Sequence, residues 1–565
     1  MDKFWTESYP EGVRAKVACE HKTLLNFFDY TFAKYAQNEF STNMGVTYSY
    51  EEVDQVSQSI AAWIQSLGLA QGSTIGIMMP NVNQYYPIVA GIIRAGMVLT
   101  TINPLYTGRE LKHQLINSDA RAIFILEPFC YTLEKIIDDT DIDNVVISSI
   151  GDMLGTAKGM VVNLAAKHLK KAVPSHNLVS NSNYKVIDFK SVVKLGKPLP
   201  YSRPVISPDD LAILQYTGGT TGVAKGMLVT HYNVVVATAQ FEEWFQPIYK
   251  KAPQTGQTNT IIALPLYHIY AFILMLLGIR VGQHLTLVTN PRDIDAFVKI
   301  LGKRPFHIFP AVNTLYQALL ANPKFKSLDF SQLQLSLAGG MAATPATAKN
   351  WQETTGLPII EGWGMSEGLG VGTANPLINT EYNGNIGLPL PGIDITIRDD
   401  DGNTLGLDEV GEMCIKGDNI VTSYHKMDNS SFFTEDGYLK TGDVASMNDK
   451  GYIQIYDRKK DMLIVSGFNV FPNEVENVIE MHPKVAECSV VGVDNELQGQ
   501  SVKAYVVKSD QSLTEQEIKD FCKEDLTGYK RPSYIEFIDE LPKSTVGKIL
   551  RHELRTKASQ QQQQQ

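Results

Sequence analysis

The amino-acid sequence predicts an α/β protein with a large N-terminal body and a small, mobile α+β C-terminal domain. Helical periodicity alternates with short apolar runs over 47–126 and again over 209–337, which indicates two α/β subdomains with largely parallel sheets. After Gly387, short strands are separated by turn signals such as Asp401-Gly402, and this pattern predicts a β-rich subdomain. A chain of 565 residues is also longer than one hydrophobic core usually supports.

The elements of the two α/β cycles follow from apolar periodicity, with helices showing a repeat near 3.6 and buried strands showing short apolar runs. The predicted elements are helices over 50–67 and 85–95, and strands over 73–79, 120–126, 211–215, 284–288 and 334–337.

The polar stretch DRKKD at 457–461 separates the body from a new α/β pattern. Pro472 and Asn473 suit the start of a helix, and Val475, Val478 and Ile479 give that helix an apolar stripe. We therefore predict three segments: an N-terminal domain over 1–458, a mobile C-terminal domain over 459–555, and a disordered tail over 556–565 that ends in polyglutamine.

Composition limits the classes of function. A net charge of -11 argues against nucleic-acid binding, which usually requires a basic face. The five cysteines lack the paired spacing of metal or redox motifs, and the first residues lack an apolar signal-type stretch, so we expect a cytoplasmic protein. The uncharged run 261–279 is long enough to span a membrane, but it contains Pro265, Tyr267, His268 and Tyr270 and is better explained as a buried strand, loop and helix.

The segment YTGGTTGVAKG at 216–226 has the residues that a polyphosphate requires. Its glycines allow a tight turn with exposed backbone N–H groups, its threonines add hydroxyl donors, and Lys225 adds a cation. The spacing differs from that of a Walker A loop, because Gly226 follows Lys225 and only two residues separate Gly222 from Lys225. By composition alone, a solvated hairpin would explain the segment equally well.

Three further clusters contain candidate nucleotide ligands. In EGWGMSEG at 361–368, Trp363 offers a face for a purine and Glu367 a hard oxygen for Mg²⁺, although a simple turn with a buried tryptophan is the alternative. In TGD at 441–443, Asp443 could accept both ribose hydroxyls, or could be a turn aspartate. Arg458 could hold sugar or phosphate, or form a surface ion pair.

Lys548 follows Gly547 near the chain end, in LPKSTVGKILRHEL, where a flexible ammonium could stabilise charge during phosphoryl transfer. His268 could line the carboxylate end of a substrate pocket, or be a core histidine. The pair Gly339 and Gly340 could let a ligand ring lie against the backbone, although such pairs usually only turn the chain.

Taken in order, these segments resemble the adenylate-forming ligases, which include acyl-CoA synthetases, luciferases and nonribosomal peptide adenylation domains. The resemblance covers roughly 47–554 and is closest to bacterial long-chain fatty acid CoA ligases. It rests on LQYTGGTTGVAKG, ALPLYHIY, GNIGLPLPG, YDRKKDMLIVSGFNVFPNEVE and LPKSTVGKILRHEL. The resemblance implies the adenylate-forming ligase fold, an AMP-binding adenylation domain over 1–458, the substrates ATP, coenzyme A and a fatty acid, and Mg²⁺.

The resemblance also implies a role for each matching residue. The β- and γ-phosphates would contact Thr217, Gly218, Gly219, Thr220, Thr221, Gly222 and Lys225. The adenine side of ATP would contact Gly339, Gly340, Glu361, Gly362, Trp363, Gly364, Met365 and Ser366. Asp443 would hold the ribose, Arg458 the nucleotide, Glu367 and Thr217 the Mg²⁺, and Lys548 the reacting carboxylate and α-phosphate; Lys460 would be the hinge, and Thr217, Glu367 and Lys548 would be the catalytic set.

Two positions depart from the pattern of the family, since Trp363 replaces its usual Tyr and Ser366 its usual Thr. Trp363 keeps an aromatic ring at its position, and Ser366 keeps a hydroxyl group at its position. Four alternatives remain open from the sequence: a medium-chain or aryl acid CoA ligase, an acyl-AMP ligase that loads a carrier protein, and a nucleotide-sensing protein without turnover. A homodimer also remains open. Lysines interleaved with apolar residues over 153–174 suggest peripheral binding to the cytoplasmic face of the inner membrane, or an ordinary surface helix.

Overall fold

The computed structural model describes residues 3–217, 224–250, 256–340, 342–495, 497–544 and 547–563. Within these ranges the strands form four sheets, of nine, seven, five and four strands. Three of the sheets belong to the N-terminal body, and the five-stranded sheet belongs to a smaller C-terminal unit that follows the four-stranded sheet in the chain.

The strands in chain order are β1 (Glu39–Asn43), β2 (Val46–Ser49), β3 (Thr74–Met78), β4 (Val98–Thr101), β5 (Ala120–Leu126), β6 (Asn144–Ser148), β7 (Lys185–Asp188), β8 (Leu211–Tyr216), β9 (Gly226–Thr230), β10 (Asn259–Ile262), β11 (His284–Leu287), β12 (Ile308–Ala311), β13 (Leu335–Ala338), β14 (Ile359–Trp363), β15 (Thr373–Ala374), β16 (Leu388–Pro389), β17 (Asp394–Arg398), β18 (Gly411–Lys416), β19 (Leu439–Met447), β20 (Ile453–Arg458), β21 (Leu463–Val465), β22 (Phe468–Val470), β23 (Val485–Asn495), β24 (Gly499–Lys508) and β25 (Tyr534–Phe537).

The α-helices in chain order are α1 (Leu24–Lys34), α2 (Tyr50–Ser66), α3 (Tyr85–Arg94), α4 (Gly108–Asn117), α5 (Cys130–Glu134), α6 (Thr156–Leu164), α7 (Phe189–Gly196), α8 (His231–Tyr249), α9 (Ile269–Arg280), α10 (Ile294–Leu301), α11 (Asn313–Leu320), α12 (Pro345–Thr355), α13 (Pro472–Glu480), α14 (Glu515–Asp525) and α15 (Arg551–Gln563).

The seven-stranded sheet has the order β7-β6-β5-β3-β4-β8-β9, and its strands run parallel except for the antiparallel pair β8 and β9. Helices α2, α3 and α7 pack together beside it. Helix α2 begins with a capping box, in which the side chains of Ser49 and Glu52 each accept the other residue's backbone N–H. The elements predicted for the first cycle are therefore confirmed, to within one residue at each end.

The nine-stranded sheet has the order β16-β15-β14-β13-β12-β10-β11-β1-β2, with β10 to β14 parallel to one another and β15 antiparallel to β14. The carboxyl ends of β13 and β14 therefore lie at the same edge, where ligands usually bind in open α/β sheets. Antiparallel strands β17 to β20 form the four-stranded sheet and confirm the predicted β-rich subdomain. One continuous hydrophobic core joins these three sheets, and it includes Ile75, Leu285 and Ile395.

The C-terminal unit contains the sheet β22-β21-β24-β23, with β25 beside β24, and helices α13 to α15. It has its own hydrophobic core. Helix α13 begins at Pro472 as predicted, and it buries Val475, Val478 and Ile479. The proposed domain boundary at 458/459 falls between β20 and β21 and stays a prediction.

Two stretches were ambiguous in the sequence. The uncharged run 261–279 forms the end of β10, a loop and most of α9, and no helix among the described residues is long and apolar enough to cross a membrane. The predicted disordered tail is wrong as far as Gln563, because α15 continues to that residue. Hydrogen bonds from Lys503 Nζ to Gln561 and from Gln562 Nε2 to the Asp494 carbonyl anchor the helix on the sheet.

Candidate active site

One cavity of about 2230 Å³ lies between the N-terminal body and the C-terminal unit. Every predicted site residue that the structure describes lines it, namely Thr217, Lys225, His268, Gly339, Gly340, Glu361, Gly362, Trp363, Gly364, Met365, Ser366, Glu367, Asp443, Arg458, Lys460 and Lys548. The remaining predicted residues, Gly218, Gly219, Thr220, Thr221 and Gly222, lie outside the described residues. Residues far apart in sequence therefore meet in one space that exceeds the usual volume of a small-molecule site, about 300–1,000 Å³.

The ends of the glycine-rich segment are held by the hairpin of β8 and β9. Tyr216 pairs with Gly226 at the end of the ladder, and Thr217 N–H donates to the Lys225 carbonyl at 3.0 Å. The Lys225 ammonium lies 4.6 Å from the ring centre of Phe432 and 5.6 Å from that of Tyr424. These aromatic faces stabilise the cation at the cavity wall.

Glu367 lies in a short 3-10 helix, Ser366–Gly368, that follows β14. The Tyr424 hydroxyl donates to Glu367 Oε1 at 2.6 Å. Burial and the nearby Glu367 carboxylate both raise the pKa of Tyr424, so the tyrosine stays protonated and remains a donor. Tyr424 was missed in the sequence, because nothing in the local pattern distinguishes it from the other 24 tyrosines of the 25 present.

The proposed ribose ligand, Asp443, is buried between two donors. Trp363 Nε1 donates to Asp443 Oδ2 at 2.9 Å, and Arg458 Nε lies 2.6 Å from Oδ1. Strands β19 and β20 place Asp443 and Arg458 opposite each other in register. Burial raises the pKa of Asp443, whereas Arg458, Trp363 and Lys548 lower it. Asp443 thus lies in a strand rather than in a turn, whereas Arg458 is exposed and forms the ion pair that was its alternative, so the contact of either residue with a nucleotide stays a prediction.

The two glycines after β13 make close contact with groups of the protein. A Cβ on Gly339 would lie 2.8 Å from the ring of Tyr270, so it is this ring that lies against the backbone here. Gly340 has a φ of +81°, which favours glycine, and a Cβ there would lie 3.9 Å from Lys548 Cε. The absence of side chains at Gly339 and Gly340 thus leaves room for the ring of Tyr270 and the side chain of Lys548.

Lys548 reaches the cavity from a tight turn of the C-terminal unit. Ser544 N–H donates to the Lys548 carbonyl at 2.7 Å, and Lys548 N–H donates to Ser544 Oγ at 3.1 Å. Burial and Arg458 lower the pKa of Lys548, whereas Asp443 and Glu367 raise it. Lys460 lies in the exposed turn between β20 and β21.

His268 is the N-cap residue of α9, and its Nδ1 accepts the Tyr270 N–H at 3.4 Å. Burial, with a smaller effect of Lys548, lowers the pKa of His268 to about 4. The imidazole is therefore neutral at neutral pH. His268 therefore lines the cavity, as predicted, and also has a structural role as the N-cap residue of α9.

Comparison with known proteins identifies the family. Residues 28–425 match the AMP-binding enzyme family, and residues 474–548 match the AMP-binding enzyme C-terminal domain. The chain belongs to the AMP-binding enzyme family.

Relatives of this AMP-binding enzyme span its whole length. It is 44% identical over 559 residues to the long-chain-fatty-acid--CoA ligase of Yersinia pestis, which covers 98% of both chains. It is 43% identical over 562 residues to the ligase of the same name from Escherichia coli O6:H1, with 99% of both chains covered. In fold it is similar to the crystal structure of the anthranilate CoA ligase AuaEII in complex with anthranoyl-AMP, with a TM-score of 0.80, 23% identity, and 95% and 97% of the two chains covered.

Glu361, on β14, is a buried acid that lines the cavity. Its Oε1 accepts the Ala343 N–H at 2.7 Å, and burial raises its pKa from 4.5 to about 7. Between these two values the folded protein binds more protons than the unfolded chain. The contribution of Glu361 to the free energy of unfolding therefore falls as pH rises through this window.

We predict that Glu361→Gln becomes more stable relative to the wild type as pH rises, because glutamine cannot ionise yet can still accept the Ala343 N–H. The relative gain between about pH 5 and about pH 8 should be about 2 to 3 kcal/mol. Melting temperatures measured on both proteins across this range test it. Glu353→Gln, at an exposed position on α12, is the control for the substitution itself, and a pH-independent difference for Glu361→Gln would contradict the prediction.

Proposed function

We propose that this AMP-binding enzyme uses ATP to convert a long-chain fatty acid to an acyl adenylate and then transfers the acyl group to coenzyme A, releasing AMP and pyrophosphate. The observation that carries the proposal is identity of 43–44% over nearly the whole chain with long-chain-fatty-acid--CoA ligases. The cavity supports it, because the proposed phosphate, ribose and carboxylate ligands all line the same space.

In the first step the carboxylate attacks the α-phosphorus in line, and pyrophosphate leaves. Lys548 offsets the negative charge that accumulates at the reacting centre, and Lys225 with Thr217 holds the departing phosphates. Asp443 accepts hydrogen bonds from the ribose hydroxyls, and Arg458 and Trp363 fix the orientation of its carboxylate. The low-dielectric cavity strengthens each of these interactions.

The residues present fit Mg²⁺, which keeps several waters and usually binds one or two carboxylates plus substrate phosphates. The Tyr424 hydroxyl donates to Glu367 Oε1, and Oε2 is the oxygen that would coordinate the ion. No cluster of three or more acidic, histidine or cysteine side chains forms a metal site within those residues, so the other ligands would be Thr217, phosphate oxygens and water. Bound there, Mg²⁺ would supply neutralisation of phosphate charge.

In the second step the C-terminal unit turns about Lys460, withdraws Lys548 and presents another face for attack by the thiol of coenzyme A. The unit has its own core and is linked to the body through the turn that contains Lys460. A rigid-body movement therefore requires changes in few backbone torsions.

The acyl chain would lie along the apolar wall of the cavity. Phe241, Trp244, Phe245, Leu337 and Leu377 line this wall. Neutral His268 stands near Tyr270 between this wall and the nucleotide side. This extended apolar surface favours a long-chain acid over an aryl acid, which would leave much of it exposed to water.

The decisive experiment measures coenzyme A dependent AMP release across a panel of acids of increasing chain length, with benzoate and 4-coumarate included. We expect kcat/KM to rise by at least 10-fold from medium to long chains, since each buried CH₂ contributes about 0.8 kcal/mol. A higher kcat/KM with an aryl or medium-chain acid would instead make that acid the substrate class, in place of long-chain fatty acids. Pyrophosphate release with accumulation of acyl adenylate, and no AMP release when coenzyme A is added, would favour an acyl-AMP ligase, and absence of pyrophosphate release with every acid would favour a nucleotide sensor.

We predict that Lys548→Ala lowers the rate of adenylate formation by about 100-fold or more, because the transition-state charge loses its cation. Transfer from synthetic acyl adenylate to coenzyme A should stay within about twofold of the wild type, since Lys548 has left the site in that step. Pyrophosphate exchange and thioester formation measure the two steps. Lys523→Ala, exposed on α14, is the matched control, and equal loss of both steps would contradict the turn about Lys460.

We also propose that the enzyme binds the cytoplasmic face of the membrane through a surface on α6 and the π-helix Ala165–Leu169 that follows it. The apolar side chains of this surface are largely exposed, at 67% for Met160, 67% for Val161, 62% for Leu164 and 83% for Leu169. Lysines flank them, as an interfacial helix on anionic lipid requires. The surface consists of Lys158, Met160, Val161, Leu164, Lys167, Leu169, Lys170 and Lys171.

Lys170→Glu combined with Lys171→Glu should weaken binding to phosphatidylglycerol vesicles by about 10-fold or more, because each lysine near an anionic surface contributes about 1 kcal/mol. These two are the informative pair, since Lys158 donates to the Met44 carbonyl and Lys167 approaches Glu127. Vesicle co-sedimentation at fixed ionic strength measures the effect, with Lys523→Glu as control. Unchanged binding would refute this surface, and the homodimer stays a separate prediction.

A further inference from the structure

A buried group of charges surrounds Arg551 at the junction between β20 and the C-terminal unit. Arg551 binds Glu476 on α13, and its NH1 lies 3.5 Å from Asp457 and 3.8 Å from Asp461. Glu476 and Asp461 follow the proposed hinge at Lys460, so they belong to the same unit as Arg551. Asp457 precedes the hinge and is the last residue but one of β20. Of these three acids, only Asp457 links Arg551 to the body.

Asp457 also caps helix α13 from across the hinge. Phe471, the N-cap residue of α13, makes no side-chain capping hydrogen bond. Instead, Asn473 N–H in the first turn donates to Asp457 Oδ2 at 2.8 Å, and Asn473 Nδ2 donates to the Tyr456 carbonyl at 3.2 Å. A carboxylate at a helix N-terminus satisfies an unpaired N–H and interacts favourably with the helix dipole. The body therefore supplies a cap that the C-terminal helix lacks.

The environment of Asp457 fits an ionised, tightly held carboxylate. Its side chain is fully buried, and its Oδ1 also accepts the Arg458 N–H at 2.7 Å. Burial raises the pKa of Asp457 to about 6, against the opposing effects of Arg551 and the two backbone N–H groups. A buried carboxylate that loses its cation and a donor is strongly disfavoured. Separating the two units would break both the ion pair with Arg551 and the hydrogen bond from Asn473.

These contacts lie next to Lys548 in the chain. Arg551 is the first residue of α15, three positions after Lys548, and Leu550 N–H between them donates to the Pro542 carbonyl at 2.8 Å. Fixing Arg551 and α13 against β20 therefore fixes the turn that carries Lys548 over Gly340.

We propose that Asp457 is a positioning residue for adenylate formation: by capping α13 and pairing with Arg551 across the hinge, it holds the C-terminal unit where Lys548 enters the cavity. This inference rests on the proposed function, and it adds a residue that sets the balance between the two steps. Asp457 borders the cavity and accepts the Arg458 N–H, but its side chain is engaged by Asn473 and Arg551, and it acts through Arg551 and α13.

Asp457→Ala and Asp461→Ala form a matched pair, because both acids are buried and face Arg551 but lie on opposite sides of Lys460. We expect Asp457→Ala to lower pyrophosphate exchange by about 10-fold, as the loss of a cap and an ion pair shifts the balance of arrangements. Thioester formation from synthetic acyl adenylate should stay within about twofold. Asp457→Asn, which keeps an acceptor for Asn473 N–H, should give an intermediate loss.

Hydrogen exchange measured by mass spectrometry on the full chain gives a readout that needs no turnover. Asp457→Ala should speed amide exchange about 10-fold in peptides covering the first turn of α13 and residues 547–551, whereas Asp461→Ala should not speed it in the second region. Equal loss of both steps in Asp457→Ala, or unchanged exchange in these peptides, or the same pattern in both variants, would overturn the inference. Failure of the wild type to activate any fatty acid would instead overturn the proposed function, and the exchange rates would still decide the role of Asp457.

Discussion

Burial of charge between two separately folded units is the constraint on which this site depends. A carboxylate such as Asp443 can remain ionised inside the protein only if cations and donors surround it. Arg458, Trp363 and Lys548 provide this environment, and they come from three different parts of the chain. The same constraint applies to Asp457 and Arg551 at the hinge. Each unit thus carries charged side chains that are stabilised in part by residues of the other unit.

The three sheets of the body explain where these charges meet. Parallel strands end at a common edge, so β13 and β14 deliver Gly340 and Glu361 side by side. The hairpin of β8 and β9 brings the glycine-rich segment to the same space, and the four-stranded sheet adds Asp443 on β19. A single hydrophobic core beneath all three sheets keeps these edges in fixed relation.

The C-terminal unit contributes differently, since it has a core of its own, and Asp457 of the body contacts Asn473 and Arg551 across the junction. Interfaces of this kind between domains permit relative movement. That property suits a two-step reaction, because Lys548 is needed while phosphate charge develops and would obstruct the later approach of a thiol. The structure contains one arrangement, in which Lys548 lies over Gly340.

The sequence by itself determined the fold class, the bounds of the few helices and strands that it predicted, and the set of candidate ligands to test, because apolar periodicity and glycine-rich turns are local properties of the chain. It also indicated the family through the order of its motifs. Local pattern failed where contacts are distant: the tail was expected to be disordered, yet Lys503 and Asp494 anchor it as a helix. Only the tertiary structure decided that Trp363 donates to Asp443, that Tyr424 orients Glu367, and that Asp457 caps α13. These partners are 16 to 80 positions apart in the chain, and burial and hydrogen bonding over such separations depend on the packing of whole sheets rather than on neighbouring residues.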